Sequence, residues 1–281
     1  MGCGDINIGS QFDCANPLQG GTLPRIVLFN KADILSTTAG TTPGLITAIT
    51  LASGKSGYAF EGFRNSNTPT VEKKSATSGQ ALYKHQLNFF VYENTQLAKN
   101  NIEKMGNGAF VALIINAKPD AQSFELLGLG NGLFLADGVI NNKVENNGAY
   151  NLIMASLDTL GEAKLPQTLF VTDYATTLAL VNGYLFLPTV TVIGTLAISA
   201  SGGTSETITG TNFYGSGSSS DVIGVTWVNQ ATLLETTQTS VTVASATSLT
   251  FSSVALAAGS YKLRVRTSKG VADSTQTAIA S

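Results

Sequence analysis

Beyond Pro188 the chain changes character, and this change restricts its possible folds more than any other feature. Residues 189–281 hold 18 Thr and 16 Ser among 93 residues, with no Cys, Met, His or Pro. Short segments of alternating polarity recur there between turn signals, the pattern of an all-β sandwich. Candidate strands are 189–193, 206–213, 222–228 with the only tryptophan, Trp227, then 240–244 and 248–251. The clearest is 261–267. Tyr261, Leu263 and Val265 share one face of it, and Lys262, Arg264 and Arg266 share the other. Those bases read as a solvated strand face, with polyanion binding as the alternative. Lys269-Gly270 reads as a hairpin turn into a last strand over 271–278.

The N-terminal part carries a different mixture. Segment 23–29 is a short buried strand candidate, and 58–63, 70–75 and 83–92 look like further strands. Residues 36–56 are rich in Thr and Gly and enclose Leu45, Ile46, Ile49 and Leu51, which suggests a long loop or hairpin. One helix stands out. Asn94 or Thr95 caps its start, and Gly106 is expected to end it in a left-handed conformation. Leu97, Ala98, Ile102 and Met105 fall within about 140° of arc, so one face is apolar. A strand over 109–116 follows, then strand, turn and strand over 124–136. Asn146-Asn147-Gly148 is a turn, with strands at 150–157 and 168–171. The expected fold class is mainly β. It comprises an N-terminal β-sandwich or barrel with one flanking helix over 1–188, and an immunoglobulin-like sandwich over 189–281.

Charge narrows the function classes. Only 12% of residues are charged, and net charge is −2 from 16 basic and 18 acidic residues. An average soluble domain carries about 25%, so the surface is covered largely by Ser, Thr, Asn, Gln and Gly. Such a surface suits contact with neighbours, since unpaired charges are costly to bury. Neither half has the basic excess that tight nucleic-acid binding draws on. The longest apolar runs, such as 110–115, are too short to span a bilayer. The start, Met1-Gly2-Cys3-Gly4-Asp5, lacks the basic and apolar regions of a signal peptide. Cys3 and Cys14 are either a short-loop disulfide or two free thiols. With a single histidine, a zinc site is not expected.

Motifs for catalysis are missing or broken. No Gly-x-Ser-x-Gly elbow occurs, and Gly215-Ser216-Gly217-Ser218 reads as a flexible loop. The run Gly128-Leu129-Gly130-Asn131-Gly132 imitates a dinucleotide fingerprint, but its third glycine comes one residue early, so a turn cluster is the better reading. Gly54-Lys55-Ser56 lacks the earlier glycine of a phosphate loop, since position 49 is Ile. His85 sits between Lys84 and Gln86 without a nearby acid, and reads as a surface or interface histidine. Glu61, Glu72 and Glu93 fall on separate strands. The chain is therefore expected to be no enzyme, with no catalytic, cofactor-binding or metal residues and no cofactor.

Two resemblances sharpen this. Gly202-Gly203, Thr207-Ile208-Thr209-Gly210-Thr211-Asn212-Phe213 and Ala258-Gly259-Ser260-Tyr261-Lys262-Leu263-Arg264-Val265 resemble the IPT/TIG family of immunoglobulin-like domains. That implies an interaction or spacer role for the final third. Thr70-Val71-Glu72-Lys73-Lys74 leads through Ser78-Gly79 into Tyr83-Lys84-His85. The helix, the strand 110–116, and Asp137-Gly138 ahead of the strand ending at Leu157-Asp158 complete an order that resembles the major tail tube proteins of long-tailed bacteriophages. This resemblance implies a virion subunit, assembled in the host cytoplasm into hexameric rings stacked as a tube. Its partners would be itself and other tail proteins, with DNA as transient cargo and no membrane insertion. Segment 36–56, with Leu45, Ile46, Ile49 and Leu51 as the expected oligomer contact, would dock on the next ring. The alternative is a surface or virion binding module, an adhesin or carbohydrate binder, using the immunoglobulin-like domain.

Overall fold

Strand β1 (Thr22–Asn30) and strand β7 (Phe110–Asn116) hold runs of consecutive buried residues, Ile26 to Phe29 and Phe110 to Ile115. A strand buried at every position must be covered on both faces, and the N-terminal half is arranged to do this. The computed structural model describes residues 20–63, 65–75, 81–136 and 148–281. The strands between these two are β2 (Ile34–Ala39), β3 (Leu45–Leu51), β4 (Tyr58–Glu61), β5 (Thr68–Ser75) and β6 (Ala81–Val91). Helix α1 (Gln96–Met105) precedes β7, and β8 (Phe124–Leu127), β9 (Phe134–Leu135), β10 (Tyr150–Ala155), β11 (Gln167–Leu169) and helix α2 (Tyr174–Leu185) follow.

Seven strands form one sheet in the order β2-β3-β11-β8-β7-β1-β4, and four form a second, β5-β6-β10-β9. Alternation sends successive side chains of β1 and β7 to opposite faces. Ile26, Leu28, Ala112 and Ile114 pack with Leu87 and Phe89 of β6, Leu152 and Met154 of β10, and Ala98, Ile102 and Met105 of α1. Val27, Phe29, Val111, Leu113 and Ile115 point the other way, onto Ile46, Ile49 and the α2 residues Val181 and Leu185. The half is thus layered: small sheet with α1, large sheet, α2.

Two expectations are corrected here. The fold has a second helix, α2, where one was expected. Asp173 caps it, its Oδ1 accepting the Thr176 N–H at 2.8 Å. The first helix starts as read, with Thr95 Oγ1 accepting the Ala98 N–H at 3.1 Å. Its end differs, because Gly106 is right-handed (φ −59°). Gly106, Asn107 and Gly108 donate to carbonyls three residues back, at 3.1, 3.3 and 3.3 Å. The last turn tightens into 3-10 geometry, and no left-handed residue is needed to close it.

The C-terminal strands are β12 (Thr189–Ile193), β13 (Ala197–Ile198), β14 (Ser205–Thr211), β15 (Val222–Asn229), β16 (Glu235–Thr237), β17 (Thr242–Ser245), β18 (Ser248–Ser252), β19 (Gly259–Thr267), β20 (Gly270–Asp273) and β21 (Ala278–Ala280). They form two sheets, β12-β14-β18-β17 and β13-β21-β19-β15-β16, with β20 paired to β19. Trp227 is fully buried between them and meets Phe251 edge-on at 6.2 Å. The final strand expected over 271–278 is two short ones, since the chain leaves β19 after Asp273 and returns to it as β21. The fold is mainly β, as composition and alternation indicate.

Candidate functional site

Assembly through sheets requires an edge whose backbone groups are free to pair, and the edges of the N-terminal sheets differ in their side chains. Strand β5 is the edge of the small sheet and carries Pro69, Glu72, Lys73 and Lys74. Proline and charge are devices that discourage further pairing. Lys84 Nζ and Asp158 stand 2.9 Å apart on the outer face beside it, and the ammonium's hydrogen bond and charge hold the Asp158 carboxyl below its usual range. Strand β2, one edge of the large sheet with β4 at the other, is Ile-Leu-Ser-Thr-Thr-Ala, with no charge and no proline. Leu35 is 67% exposed on it. Register slips against β3 at Ile34/Ser36 and Thr38/Ala39 add twist, yet among the described residues no strand pairs with its outer side.

Segment 36–56 is the hairpin of β2 and β3, and its four expected contact residues differ in burial. Ile46 and Ile49 are 5% and 4% exposed and belong to the core under α2, so they hold the subunit itself together. Leu45 and Leu51 are half-buried. Alternation read in isolation does not say which face of β3 is covered. Ile46 and Ile49, three residues apart, reach the same face because the register slip at Thr38/Ala39 skips Thr47, and α2 covers that face.

The second concentration of polar groups is buried. The chain leaves β8 in the large sheet and enters β9 in the small one through Gly128–Gly132. The N–H groups of Gly130, Asn131 and Gly132 converge on the Glu162 carboxylate at 2.8, 2.8 and 3.2 Å. A Cβ on Gly130 would sit 2.4 Å from Glu162 Oε2, so only glycine lets the carboxylate approach. Successive N–H groups of a turn make an anion-binding concavity, here filled by the chain's own carboxylate. The glycine run is a turn cluster, as read. His85 is only 2% exposed and lies beside it, which corrects the surface assignment. Its Nε2 meets the Lys164 carbonyl at 2.9 Å, and its Nδ1 accepts the Gly128 N–H at 3.1 Å. Burial pushes the ring pKa below its ordinary value, against the opposing pull of the Glu162 charge and the Lys164 bond. The partners of His85 lie 43 and 79 residues away, which is why its sequence neighbours gave no sign of them.

The basic face of β19 is also occupied. Arg264 grips Asp273 with two bonds of 2.6 and 2.7 Å and reaches Glu235 at 2.6 Å, while Arg266 meets Glu235 at 2.8 Å. These guanidiniums hold both carboxyls below their usual range. The pairing consumes the charge that polyanion binding would need. At the β15–β16 hairpin tip, Leu233 and Leu234 are 73% and 69% exposed, and Leu233 is left-handed at φ +59°. Leucine rarely adopts that conformation. The two halves touch through Asn212 Nδ2 on the Leu187 carbonyl and Ser216 Oγ on the Gly54 carbonyl, each 2.8 Å. Lys269 Nζ lies 4.8 Å from the centre of the Tyr58 ring.

Among the described residues no three His, Cys, Asp or Glu side chains are grouped to hold a metal ion, and no helix is long and apolar enough to cross a membrane. Cys3 and Cys14 lie outside the described residues.

An immunoglobulin-like sandwich with a buried tryptophan is the class that the C-terminal fold defines. Residues 188–279 match the IPT/TIG domain family, so the last third of the chain is a module of that type. No curated protein matches the chain. Among solved structures it is similar to the mixed-linkage glucan utilization protein SGBP-B of Bacteroides ovatus, in complex with a mixed-linkage heptasaccharide. Identity there is 13%, coverage 88% of this chain and 70% of that one, and the TM-score 0.25. It is also similar to a mouse coronavirus receptor-binding domain complexed with its murine receptor, at 11% identity, 92% and 85% coverage and a TM-score of 0.21. At TM-scores this low neither superposition bears on fold or function.

Proposed function

We propose that this chain is a non-enzymatic structural subunit that assembles with copies of itself by pairing sheet edges. The observation that carries the reading is the contrast between β2 and β5, one edge from each N-terminal sheet. β5 is guarded by proline and charge, whereas β2 presents six uncharged residues and an exposed Leu35. An edge without charge or proline, even one twisted by bulges, invites uncontrolled addition unless closure into a ring removes it. The low charged fraction, 12%, supports a surface destined for neighbours. In its finer form, the subunit builds the tail tube of a long-tailed bacteriophage, in hexameric rings through which DNA passes, with the IPT/TIG module projecting outward. A wall without basic excess would let DNA slide.

Negative-stain microscopy of purified protein tests this. Rings or tubes are expected from the wild type and none from a Leu35→Lys/Thr38→Lys variant, which charges two exposed edge positions. Deleting residues 41–49 is no test, because it strips Ile46 and Ile49 from the core. Dispersed single particles from the wild type at high concentration overturn the reading.

A second reading rests on the module's hairpin tip. Exposed Leu233 and Leu234, held on a strained backbone, suit a virion or cell-surface binding module of adhesin or carbohydrate-binding type. A monomer that binds glycans, and loses binding in a Leu233→Ser/Leu234→Ser variant, favours it over assembly.

A further inference from the structure

The loop after β10 carries Leu157, Leu160 and Leu165 into solvent, at 41%, 53% and 56% exposure. A loop this apolar wanders or collapses unless it is tied down. Here polar bonds from distant parts of the chain tie it at several points. The Ser156 N–H donates to the His85 carbonyl at 2.8 Å, and Ser156 Oγ accepts the His85 N–H at 3.2 Å. Glu162 exchanges both backbone bonds with Tyr83, at 2.8 and 2.7 Å. Its carboxylate sits in the Gly130–Gly132 turn, and the Lys164 carbonyl is held by His85.

The imidazole fixes this arrangement through its protonation state. Nε2 faces a carbonyl and must donate; Nδ1 faces the Gly128 N–H and must accept. Only the neutral ring with its proton on Nε2 does both. A second proton would aim a donor at a donor across 3.1 Å and put a cation among buried groups.

We propose that His85 is an acid-sensitive lock. Neutral, it joins the Lys164 carbonyl to the Gly128 N–H and so clamps the 156–164 segment to the 128–132 turn; protonated, it keeps its Nε2–H bond to the Lys164 carbonyl but loses the Gly128 N–H, so the clamp opens on the side of the turn. Its role is positioning, and the inference does not depend on self-assembly. The groups around the ring are few. Glu162 faces it from the loop. From β5, Val71 lies directly opposite, and Lys73 lies one pair further along that face, across from Tyr83. Ser156 faces it after β10; the residues of the 128–132 turn are uncharged, and the Lys31 ammonium is bonded to that turn at the Leu129 carbonyl, 2.7 Å. Glu72, Lys74, Lys84 and Asp158 pair among themselves on the opposite face. Burial outweighs the attraction of Glu162, so the folded ring resists protonation more than the released one. The open form therefore gains as pH falls below about 6.5.

His85 is the chain's only histidine, so its ring resonances titrate alone in an NMR spectrum. A midpoint below about 6.5 is expected. Amide exchange at Gly128, corrected for its intrinsic rate, should accelerate by up to about tenfold per pH unit between about 6.5 and the His85 midpoint. Amides of β15 around Trp227 should stay protected, which separates local release from global unfolding. In His85→Gln the amide offers one donor and one acceptor without titrating, so protection should hold between about pH 7 and about pH 5. Glu162→Gln should move the His85 midpoint lower still. A midpoint at or above about 6.5, flat wild-type exchange, or the same acid opening in His85→Gln overturns the proposal. Should the glutamine variant fail to fold, the wild-type titration and exchange decide alone.

Discussion

Glu206 lies on β14 with its side chain turned into the core between the two C-terminal sheets, where it is fully buried. Oε2 accepts the Thr195 N–H at 3.2 Å, but Oε1 has no protein partner. Burial raises its pKa above the usual 4.5, and the Thr195 bond opposes this only in part. The folded state then binds the proton more tightly than the unfolded state. Stability is fully present below about 4.5 and is lost as pH rises through the raised value. Glu206→Gln should therefore stabilise the protein at about pH 8, by roughly 1 kcal/mol, and lose that advantage at about pH 4. Thermal unfolding followed by the single tryptophan measures this; identical pH profiles for both proteins would contradict it. The single-residue features of the buried site were the least legible in the sequence. His85 stands among Lys84 and Gln86 and looks exposed, because its bonds go to Gly128 and Lys164. Glu162 carried no local signal either. The only hint was a glycine run without a phosphate to hold, and its actual ligand is a carboxylate 30 to 32 residues further on.

At the scale of elements, alternation made most strands legible. β19 shows this best, since Tyr261, Leu263 and Val265 are buried while Lys262, Arg264 and Arg266 are half-buried opposite them. Helix α2 was not legible. Its sequence, YATTLALVNGYL, has apolar side chains around most of its circumference and two threonines and a glycine within it. Period and propensity alike are weak there. Tertiary burial makes it a helix. Val181 and Leu185 close the second face of the large sheet, and the Tyr184 hydroxyl accepts the Ile49 N–H at 2.8 Å. Leu185→Ala should cost about 2–5 kcal/mol in denaturant unfolding. A change below about 0.5 kcal/mol, the scale of a neutral surface substitution, would mean that α2 does not cover the core as described. Thr95→Ala should cost α1 about 1 kcal/mol by removing its cap, with Thr95→Ser restoring most of it.

At the scale of the whole molecule, the sheets divide cleanly, since among the described residues no strand from 22–169 pairs with one from 189–280. The sequence changes composition at Pro188, between α2 and β12. It did not show which edges are open, because an edge is defined only once strand order is known. Strand order leaves β2, free of charge and proline, as one edge of the large sheet, with β4 at the other, and places the guarded β5 at an edge of the small sheet. Self-assembly through β2 is the central claim, and molar mass in solution tests it most directly. Light scattering of the wild type at rising concentration should show mass climbing to a closed multiple of the 29.2 kDa chain. Leu35→Lys/Thr38→Lys should stay at one chain with its melting temperature unchanged. A wild type that remains a single chain at every concentration, or a variant that assembles equally well, would contradict the claim.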